Sequence, residues 1–220
     1  MLYIVSTPIG NLQDITLRAL QTLKDVNFIA AEDTRHSGIL LKKHEIKTPM
    51  VSFHAHSDDR KVEHIIGRIL SGESAALISD AGTPGISDPG YVLTKRAIEE
   101  GIRVVPIPGP SAFLTALSVS GLPVNKFLYL GFLPTKKGRQ TLFRSLANEK
   151  HTVVFYESPH RILKTLEQMV ELLGPTRQVV ICRELTKIYE EALRLPLAEA
   201  LKHFQKTKPK GEFVLCLAGV

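Results

Sequence analysis

The sequence predicts an α/β fold made of two α/β domains with a cleft between them. Short apolar runs alternate with amphipathic segments along nearly the whole chain, which is typical of a mainly parallel sheet flanked by helices. Loops rich in glycine and proline follow several of the apolar runs. The length of 220 residues fits one large domain or two small ones. Clefts between domains are common ligand sites, so a ligand is expected there.

The first domain is predicted to cover residues 1–118. Asp14 is placed to cap the first helix. Pro89 lies in the first turn of a later helix, and Gly101 follows the end of that helix. The predicted strands are Leu2–Val5, Asn27–Ala31, Met50–Phe53, Ala75–Ser79 and Arg103–Ile107. The predicted helices are Ile15–Val26, Ser37–His44, Asp59–Leu70 and Pro89–Glu100, with a further helix that begins near Ser111.

The second domain is predicted to cover residues 119–220, after a small, polar, turn-rich stretch at Ser118–Asn125. Strands and helices alternate here as well. The predicted strands are Phe127–Gly131, Thr152–Tyr156, Val179–Arg183, Glu191–Leu195 and Glu212–Leu217. The predicted helices are Gly138–Leu146, Ile162–Leu173 and Leu197–Phe204.

Composition excludes several classes of protein. Hydrophobic residues make up 44% of the chain and charged residues 23%, which is the balance of a globular protein and not of a disordered or collagen-like chain. No apolar run approaches the roughly 20 residues of a membrane span, so no membrane partner is expected. The first ten residues, MLYIVSTPIG, carry no basic group before the apolar stretch, so we expect a strand there and not a signal peptide.

Charge and cysteine content indicate a cytoplasmic protein with a polyanionic partner. Lysine and arginine number 28 against 22 aspartate and glutamate, a formal net charge of +6 that favours partners such as RNA. Cys182 and Cys216 each lie in an apolar, strand-like run. Without a CxxC pair or a disulfide framework, they point to a reducing compartment.

The segment 79–90, SDAGTPGISDPG, is the most unusual loop of the chain. It leaves the carboxyl end of a predicted strand and enters a helix, which is where open α/β sheets bind ligands. The alternative is an ordinary strand-to-helix connection, but such connections usually have about two to six residues. The chain contains neither GxGxxG nor GxxxxGK[ST], so a standard dinucleotide or P-loop site is not expected.

Two further loops of this kind follow predicted strands of the first domain. They are Ser6–Asn11, with the sequence STPIGN, and Pro108–Ala112, with the sequence PGPSA. Because the carboxyl ends of parallel strands meet at one edge of a sheet, the three loops are expected to build one pocket, largely from main chain. Such a pocket suits a ligand recognised by shape and by backbone hydrogen bonds.

Seven motifs occur in order across nearly the whole chain: STPIGNLQDIT, AAEDTR, SDAGTPGISDPG, PGPSA, YESPHR, RELTKIYEE and KGEFVL. Together they resemble the ribosomal RNA ribose methyltransferases of the tetrapyrrole methylase superfamily. The resemblance implies S-adenosylmethionine in the cleft between two α/β domains, and a homodimer. It also implies 2′-O-methylation of a cytidine ribose in the decoding region of 16S rRNA, with the small ribosomal subunit as partner.

The resemblance also assigns cofactor-binding residues by position. In the first domain it implies contacts from the first-strand loop, the long loop and the PG-x-[ST]-A turn. In the second domain it implies residues that close over adenine and methionine. The implied residues are Pro8, Ile9, Asp80, Gly82, Thr83, Ile86, Ser111, Ala112, Tyr156, Leu185 and Glu212.

Two pairs of charged residues are candidate catalytic groups. Asp33 and Arg35 in AAEDTR either face the acceptor nucleotide, together with Glu32, or form an ion pair that caps the next helix. Glu157 and Arg161 in YESPHR either serve the reaction, with the arginine holding a phosphate, or form a structural pair.

A ribose hydroxyl is a poor nucleophile, so a nearby base is expected to assist methyl transfer. The candidates for that base are Asp33, Asp80, Glu157 and Glu184, and the sequence alone does not rank them.

Three weaker patterns stay open. His54 and His56 have a spacing compatible with metal ligation, but no third ligand supports it, so no metal is expected. The basic run Lys136, Lys137 and Arg139 is either a solvated surface or a contact to RNA phosphates. The three residues Tyr91, Phe132 and Tyr189 are not spaced like a set that stacks on RNA bases.

Two alternative functions remain open at this point. One is a small-molecule tetrapyrrole methyltransferase on the same fold, and the other is a non-catalytic, cofactor-binding protein associated with the ribosome. Members of the family usually carry a further small segment after the strand that corresponds to Phe213–Leu217, whereas this chain stops at Val220. We expect RNA affinity to depend on such a segment more than cofactor binding does.

Overall fold

The computed structural model describes residues 1–54 and 59–220 as two compact units, Met1–Ser111 and Ala112–Val220. Each unit has its own five-stranded sheet, so the predicted α/β class is confirmed. The division falls before helix α5 (Ala112–Ser120), whereas the predicted boundary follows residue 118. Helix α5 packs on three strands of the second unit, including the strand Phe213–Leu217, and this contact places it there.

The first unit alternates strands with helices. Its strands are β1 (Leu2–Val5), β2 (Phe28–Ala31), β3 (Met50–Ser52), β4 (Ala75–Ile78) and β5 (Val104–Ile107). Its helices are α1 (Leu17–Asp25), α2 (Thr34–Lys43), α3 (Asp59–Leu70) and α4 (Gly90–Glu99), with a short 3₁₀ turn at Leu12–Asp14. The predicted strands and helices of this unit are present; Leu2–Val5 and Asp59–Leu70 have the predicted bounds, and the ends of the others differ by a few residues.

The sheet of the first unit has the strand order β3-β2-β4-β1-β5, and every pairing is parallel. The carboxyl ends of β2, β4, β1 and β5 therefore lie side by side along one edge. We call the loops at that edge the first rim. Apolar side chains from opposite faces of the strands build two separate cores, one around Leu2 and Phe28 and the other around Val5 and Ile29.

The second unit contains a mixed sheet in the order β6-β7-β10-β8-β9. Strands β6 and β7 are parallel, and the other three pairings are antiparallel. Its strands are β6 (Phe127–Phe132), β7 (Thr152–Glu157), β8 (Gln178–Arg183), β9 (Glu191–Pro196) and β10 (Phe213–Leu217). Its helices are α5, α6 (Arg139–Leu146), α7 (Ile162–Leu173) and α8 (Leu197–Lys206), and its single core is centred on Phe155 and Leu215.

The start of α1 differs from the prediction. Thr16, and not Asp14, is its N-cap, because the Thr16 hydroxyl accepts a hydrogen bond from the backbone N–H of Ala19 at 3.1 Å. Asp14 instead ends the 3₁₀ turn, whose own cap is Asn11. The expected N-cap was therefore wrong by two positions.

Both cysteines lie in strands, as predicted, and both thiols are free. Burial raises the pKa of Cys182 to about 11 and that of Cys216 to about 12. The two side chains therefore behave as small apolar groups at neutral pH. Among the described residues, no helix is both long and apolar enough to cross a membrane.

Candidate functional site

The first rim is held together by a direct bridge between two loops. The backbone N–H of Thr7 donates to the carbonyl of Gly82 at 2.9 Å, and the N–H of Gly82 donates back to the carbonyl of Thr7 at 3.0 Å. The Thr7 hydroxyl also donates to the carbonyl of Ser79 at 3.1 Å. The loops after β1 and β4 therefore form one rigid body at this point.

The loop after β5 joins the same assembly. The hydroxyls of Ser6 and Thr83 lie 2.9 Å apart, and the Thr83 hydroxyl donates to the carbonyl of Pro110 at 3.2 Å. Gly109 leaves no room for a side chain, because a Cβ there would lie 2.9 Å from the Cβ of Ser6. The three Gly/Pro loops thus meet, and main chain approaches main chain closely enough to require glycine at position 109.

Asp88 shapes the second half of the long loop. Its Oδ1 accepts hydrogen bonds from the backbone N–H groups of Gly85 and Gly90, both at 2.7 Å. Gly82 and Gly85 have φ values of +80° and +86°, in the left-handed region that favours glycine. The loop is therefore a fixed structure, in which hydrogen bonds hold glycines where other residues would be strained.

The structure places the predicted cofactor residues of the first unit along this rim. Pro8, Ile9, Gly82 and Ser111 are buried, Asp80, Thr83 and Ala112 are half-buried, and Ile86 is exposed at the loop surface. Ala112 is also the first residue of α5 and belongs to the second compact unit. These predicted residues offer apolar surface, backbone polar groups and the carboxylate of Asp80, which suit a nucleoside with a cationic sulfur.

Acidic side chains gather where β2 and β4 end. Asp80 Oδ1 accepts a hydrogen bond from the backbone N–H of Asp33 at 3.0 Å. Glu32 is half-buried, and its pKa is raised first by burial and then by repulsion from Asp80 and Asp88. A carboxyl with a raised pKa is a better proton acceptor than an ordinary one.

Asp33 lies next to Glu32 but has the opposite electrostatic environment. Its Oδ1 accepts from the backbone N–H of Arg35 and caps helix α2, and its carboxylate binds the Arg35 guanidinium through both oxygens, at 3.1 and 2.7 Å. These contacts hold the pKa of Asp33 well below its usual range. They favour the capping interpretation for Asp33, while the exposed Arg35 side chain remains accessible from solvent.

Glu157 is the centre of a buried polar network in the second unit. Its side chain has no exposed surface. Its oxygens accept from the Thr165 hydroxyl at 2.6 Å, the Ser158 backbone N–H at 2.8 Å and the Arg161 guanidinium at 2.7 Å, and Arg139 lies 3.6 Å away. A carboxylate enclosed by these donors has no open position for a substrate proton. The contacts therefore favour the structural interpretation of this residue.

Arg139 corrects an expectation about the basic run. Its guanidinium is buried, donating to the Gln168 side chain at 2.7 Å and to the carbonyl of Pro134 at 2.9 Å. Burial lowers its pKa, an effect that the neighbouring Glu157 opposes. Arg139 is therefore neither a solvated surface residue nor free for RNA phosphates, whereas Lys136 and Lys137 are exposed.

The remaining candidates of the second unit lie at one edge of its sheet. Phe213 pairs with Glu157 on one side and with Arg183 on the other, so β7 and β8 end where β10 begins. Tyr156 is half-buried at this edge, Leu185 is buried and Glu212 is exposed. We call this edge the second rim.

Tyr156 is part of a chain of aromatic contacts. Its ring centroid lies 5.7 Å from that of Tyr129 and 5.3 Å from that of Phe132, and Tyr129 lies 4.4 Å from Phe113. Burial is the main cause that raises the pKa of Tyr156, and Tyr129 adds to it. The phenol is therefore neutral, and it presents an aromatic surface and not a charge.

Ser6, Thr7, Asp88 and Thr165 are structural partners of the candidate site that the sequence did not single out. The sequence Asp88-Pro89-Gly90 at the start of α4 indicates a turn held by Asp88. Aspartate commonly accepts hydrogen bonds from backbone N–H groups just after it in such turns. The contact between Ser6 and Thr83 joins residues far apart in the chain, and no local pattern reveals it. Within residues 1–54 and 59–220, no cluster of three His, Cys, Asp or Glu residues suits a metal, and His56 lies outside this part.

Comparison with known proteins identifies the family. The profile described as Tetrapyrrole (Corrin/Porphyrin) Methylases matches residues 1–201. This chain belongs to the tetrapyrrole methylase family. It is accordingly a methyltransferase, with S-adenosylmethionine as its methyl donor. The resemblance drawn from the seven motifs is therefore confirmed.

Within this family the chain is similar to proteins named ribosomal RNA small subunit methyltransferase I. The protein of Thermotoga maritima is 48% identical over 218 residues, which cover 99% of this chain and 98% of that one. The protein of Halalkalibacterium halodurans is 50% identical over 219 residues, which cover 99% of this chain and 75% of that one.

Solved structures of the tetrapyrrole methylase family share the fold. A cobalt precorrin-4 methyltransferase superposes with a TM-score of 0.71 over 98% of this chain and 93% of its own, at 16% identity. A uroporphyrin-III C-methyltransferase from Thermus thermophilus superposes with a TM-score of 0.69 over 99% of this chain and 93% of its own, at 19% identity. At such low identity these likenesses establish the fold alone.

Proposed function

We propose that this chain transfers the methyl group of S-adenosylmethionine to the 2′-hydroxyl of a cytidine ribose in 16S rRNA. The observation that carries the proposal is identity of 48–50% along the whole chain with proteins named ribosomal RNA small subunit methyltransferase I. The tetrapyrrole-modifying enzymes, by contrast, are only 16–19% identical. This difference favours RNA over a tetrapyrrole as the substrate.

The side chains and the charge of the first rim suit S-adenosylmethionine. Gly109 lets the loop after β5 pack closely against Ser6, and Ile9 and Ile86 offer apolar contact to a ligand. Glu32, Asp80 and Asp88 give the rim a negative potential that favours a cationic ligand. When bound, S-adenosylmethionine supplies an electrophilic methyl group on a positively charged sulfur.

We assign the acceptance of the hydroxyl proton to Glu32, which was not among the four predicted bases. Of those four, Asp80 already accepts a hydrogen bond from the backbone N–H of Asp33. Glu157 is enclosed by its donors, and Arg35 depresses the pKa of Asp33. Partial burial acts to raise the pKa of Glu184, but the backbone N–H of Glu212 and the Lys187 ammonium lower it overall. Glu32 combines a raised pKa with a half-buried position at the end of β2.

Arginines beside these carboxylates are the candidates to position phosphate. Arg35 is exposed and pairs with Asp33 in a surface contact of small energetic value, so a phosphate competes with the carboxylate at little cost. Arg161 is only partly exposed and already donates to Glu157 and to the carbonyl of Leu133. We therefore assign RNA phosphate to Arg35 in preference to Arg161.

The RNA partner and the location are inferred from the proposed substrate, and the homodimer from the family resemblance alone. We infer that the acceptor is the RNA of the small ribosomal subunit, that the protein works in the cytoplasm, and that it acts as a homodimer. The formal net charge of +6 supports attraction to RNA. Charge alone does not choose a nucleotide, so the choice depends on an unpaired, splayed-out base presented by folded RNA.

Parallel methyl-transfer assays test the proposal. The chain is incubated with methyl-labelled S-adenosylmethionine and either small ribosomal subunits lacking the modification or uroporphyrinogen. Label is expected in the RNA and not in the tetrapyrrole. Label only in the tetrapyrrole would establish the small-molecule alternative, and cofactor binding without transfer to either would favour the non-catalytic one.

A further inference from the structure

The loop between β8 and β9 presents two apolar side chains to solvent. Ile188 is 91% exposed and Tyr189 is 69% exposed, at the tip of the antiparallel hairpin formed by the two strands. The two side chains are adjacent in the chain, so they form one small exposed apolar surface at the loop tip. We call residues 184–190 the hairpin tip.

The hairpin tip is braced by charged side chains. The Lys187 ammonium donates to Glu184 Oε1 at 3.0 Å and to Glu212 Oε2 at 2.9 Å. The backbone N–H of Glu212 donates to Glu184 Oε1 at 2.9 Å, and Glu190 accepts from the backbone N–H of Thr186. These contacts fix the loop from both of its ends, so the exposed side chains extend from a rigid base.

The backbone of the tip is held in an uncommon conformation. Glu184 has φ of 50° and Thr186 has φ of 67°, in the left-handed region that non-glycine residues seldom adopt. A β-branched threonine is especially disfavoured there. Such conformations persist only where surrounding contacts enforce them, and they are concentrated at functional sites.

A second loop lies against the hairpin tip and carries positive charge. A Cβ at Gly211 would lie 2.5 Å from Glu184 Cγ, so the segment before β10 and the hairpin are in direct contact. Lys208 and Lys210 on that segment are exposed, and neither forms a salt bridge with any described residue. Because Lys187 also pairs with Glu212, the segment that carries the two lysines lies beside the hairpin that carries Tyr189.

We propose that this surface binds an unpaired segment of the RNA substrate, with Tyr189 stacked on a nucleobase and Lys208 and Lys210 holding the adjacent phosphates. The proposal rests on the proposed function and extends it to a second contact with RNA. Stacking on one aromatic ring and pairing with phosphates is how proteins bind single-stranded RNA. Tyr189 and Ile188 together offer far less than the roughly 800 Å² per partner of a stable protein interface, so a second copy of the chain is a poorer occupant.

Binding of a fluorescently labelled, unstructured oligocytidylate to the full chain tests the proposal. Tyr189→Ala is expected to weaken binding about 5-fold or more, and Tyr189→Phe, which keeps the ring, to restore it. Lys208→Ala and Lys210→Ala should each reduce the slope of log affinity against log salt by about 0.7. Tyr91→Ala is the matched control, because Tyr91 is a similarly exposed tyrosine on α4 of the other unit.

Each possible result of this experiment either supports or contradicts RNA binding at the hairpin tip. Weaker binding by Tyr189→Ala with unchanged cofactor affinity and an unchanged mass by light scattering supports the proposal. Equal binding by Tyr189→Ala and Tyr91→Ala overturns it, as does a loss that accompanies a change in oligomeric mass. If wild type methylates small subunits while Tyr189→Ala binds and methylates equally well, the surface is wrong and the proposed function stands. If the wild-type protein methylates no RNA, the proposed function is wrong, and the RNA contact that rests on it is wrong as well.

Discussion

Thr7 and Gly82 exchange two backbone hydrogen bonds, at 2.9 and 3.0 Å, across the loops that follow β1 and β4. The contact is an isolated antiparallel bridge outside the strands of the parallel sheet. It fixes the first-strand loop against the long loop. The two bonded backbone segments form the base of the first rim. The rim is therefore preorganised, which lowers the entropy lost when a ligand binds.

A single methyl group at position 109 tests this preorganisation. Gly109→Ala places a Cβ against Ser6 and should displace the loop after β5, so the affinity for S-adenosylmethionine should fall. Gly67→Ala is the control, because a Cβ there meets no atom within 4 Å and alanine favours its helix by about 0.5–1 kcal/mol. Titration calorimetry measures both, and equal affinity of the two variants would place the cofactor away from this rim.

Glu157 provides a test of structural against catalytic roles. Glu157→Ala should lower the free energy of unfolding by about 3–5 kcal/mol, because it leaves the buried Arg139 without a counter-charge. Glu157→Gln should cost less, since an amide retains one acceptor. Denaturant unfolding measures both, with Glu63→Gln, from a surface pair, as a control that changes little. Full stability of Glu157→Gln together with lost turnover would instead make Glu157 a catalytic group.

Glu32→Gln should reduce turnover about 100-fold or more, whereas cofactor affinity should fall far less, because Asp80 and Asp88 keep the rim negative. In the wild type, turnover should rise with pH as Glu32 loses its proton, at a pH above the usual range of a glutamate. The folded state also holds that proton more tightly than the unfolded chain, so ionisation of Glu32 costs stability above about pH 4.5. The glutamine variant should therefore be slightly more stable at neutral pH. Unchanged turnover would remove Glu32 from the mechanism.

We expect the two buried cysteines to lower the free energy of unfolding in alkaline solution. Burial raises the pKa of Cys182 to about 11 and of Cys216 to about 12, against about 9 in an unfolded chain. Below pH 9 both states are protonated; above it the unfolded chain releases these protons first, so the free energy of unfolding falls as pH rises. A variant with both cysteines changed to alanine should lack this component. Thiol reagents should label the folded protein only slowly at pH 8, and rapid labelling would contradict the burial.

Much of the fold was predictable because its signals are local. Helices Asp59–Leu70 and Ile162–Leu173 were predicted with their observed bounds, since apolar periodicity and flanking turn residues agree there. The cap of α1 was not predicted, because Asp14 and Thr16 are both good capping residues and only the geometry of the chain selects between them.

The candidate site was only partly predictable. The three Gly/Pro loops are visible in the sequence, and parallel strand order brings them to one edge. The burial of Arg139 was not visible, since a basic run before a helix indicates a surface and its partners Gln168 and Thr165 lie on a later helix. Similarly, the raised pKa of Glu32 comes from its burial and from Asp80, which depend on the tertiary structure, whereas the lowered pKa of Asp33 comes from the nearby Arg35.

The location of the transferred methyl group distinguishes ribose methylation of RNA from the alternatives. Unmodified small ribosomal subunits are treated with the chain and methyl-labelled S-adenosylmethionine, digested with nuclease and analysed by mass spectrometry, with Glu32→Gln in parallel. We expect 2′-O-methylcytidine at a single site of the 16S rRNA with wild type, and strongly reduced product with the variant. Label on a nucleobase, or no methylated nucleotide at all, would contradict it.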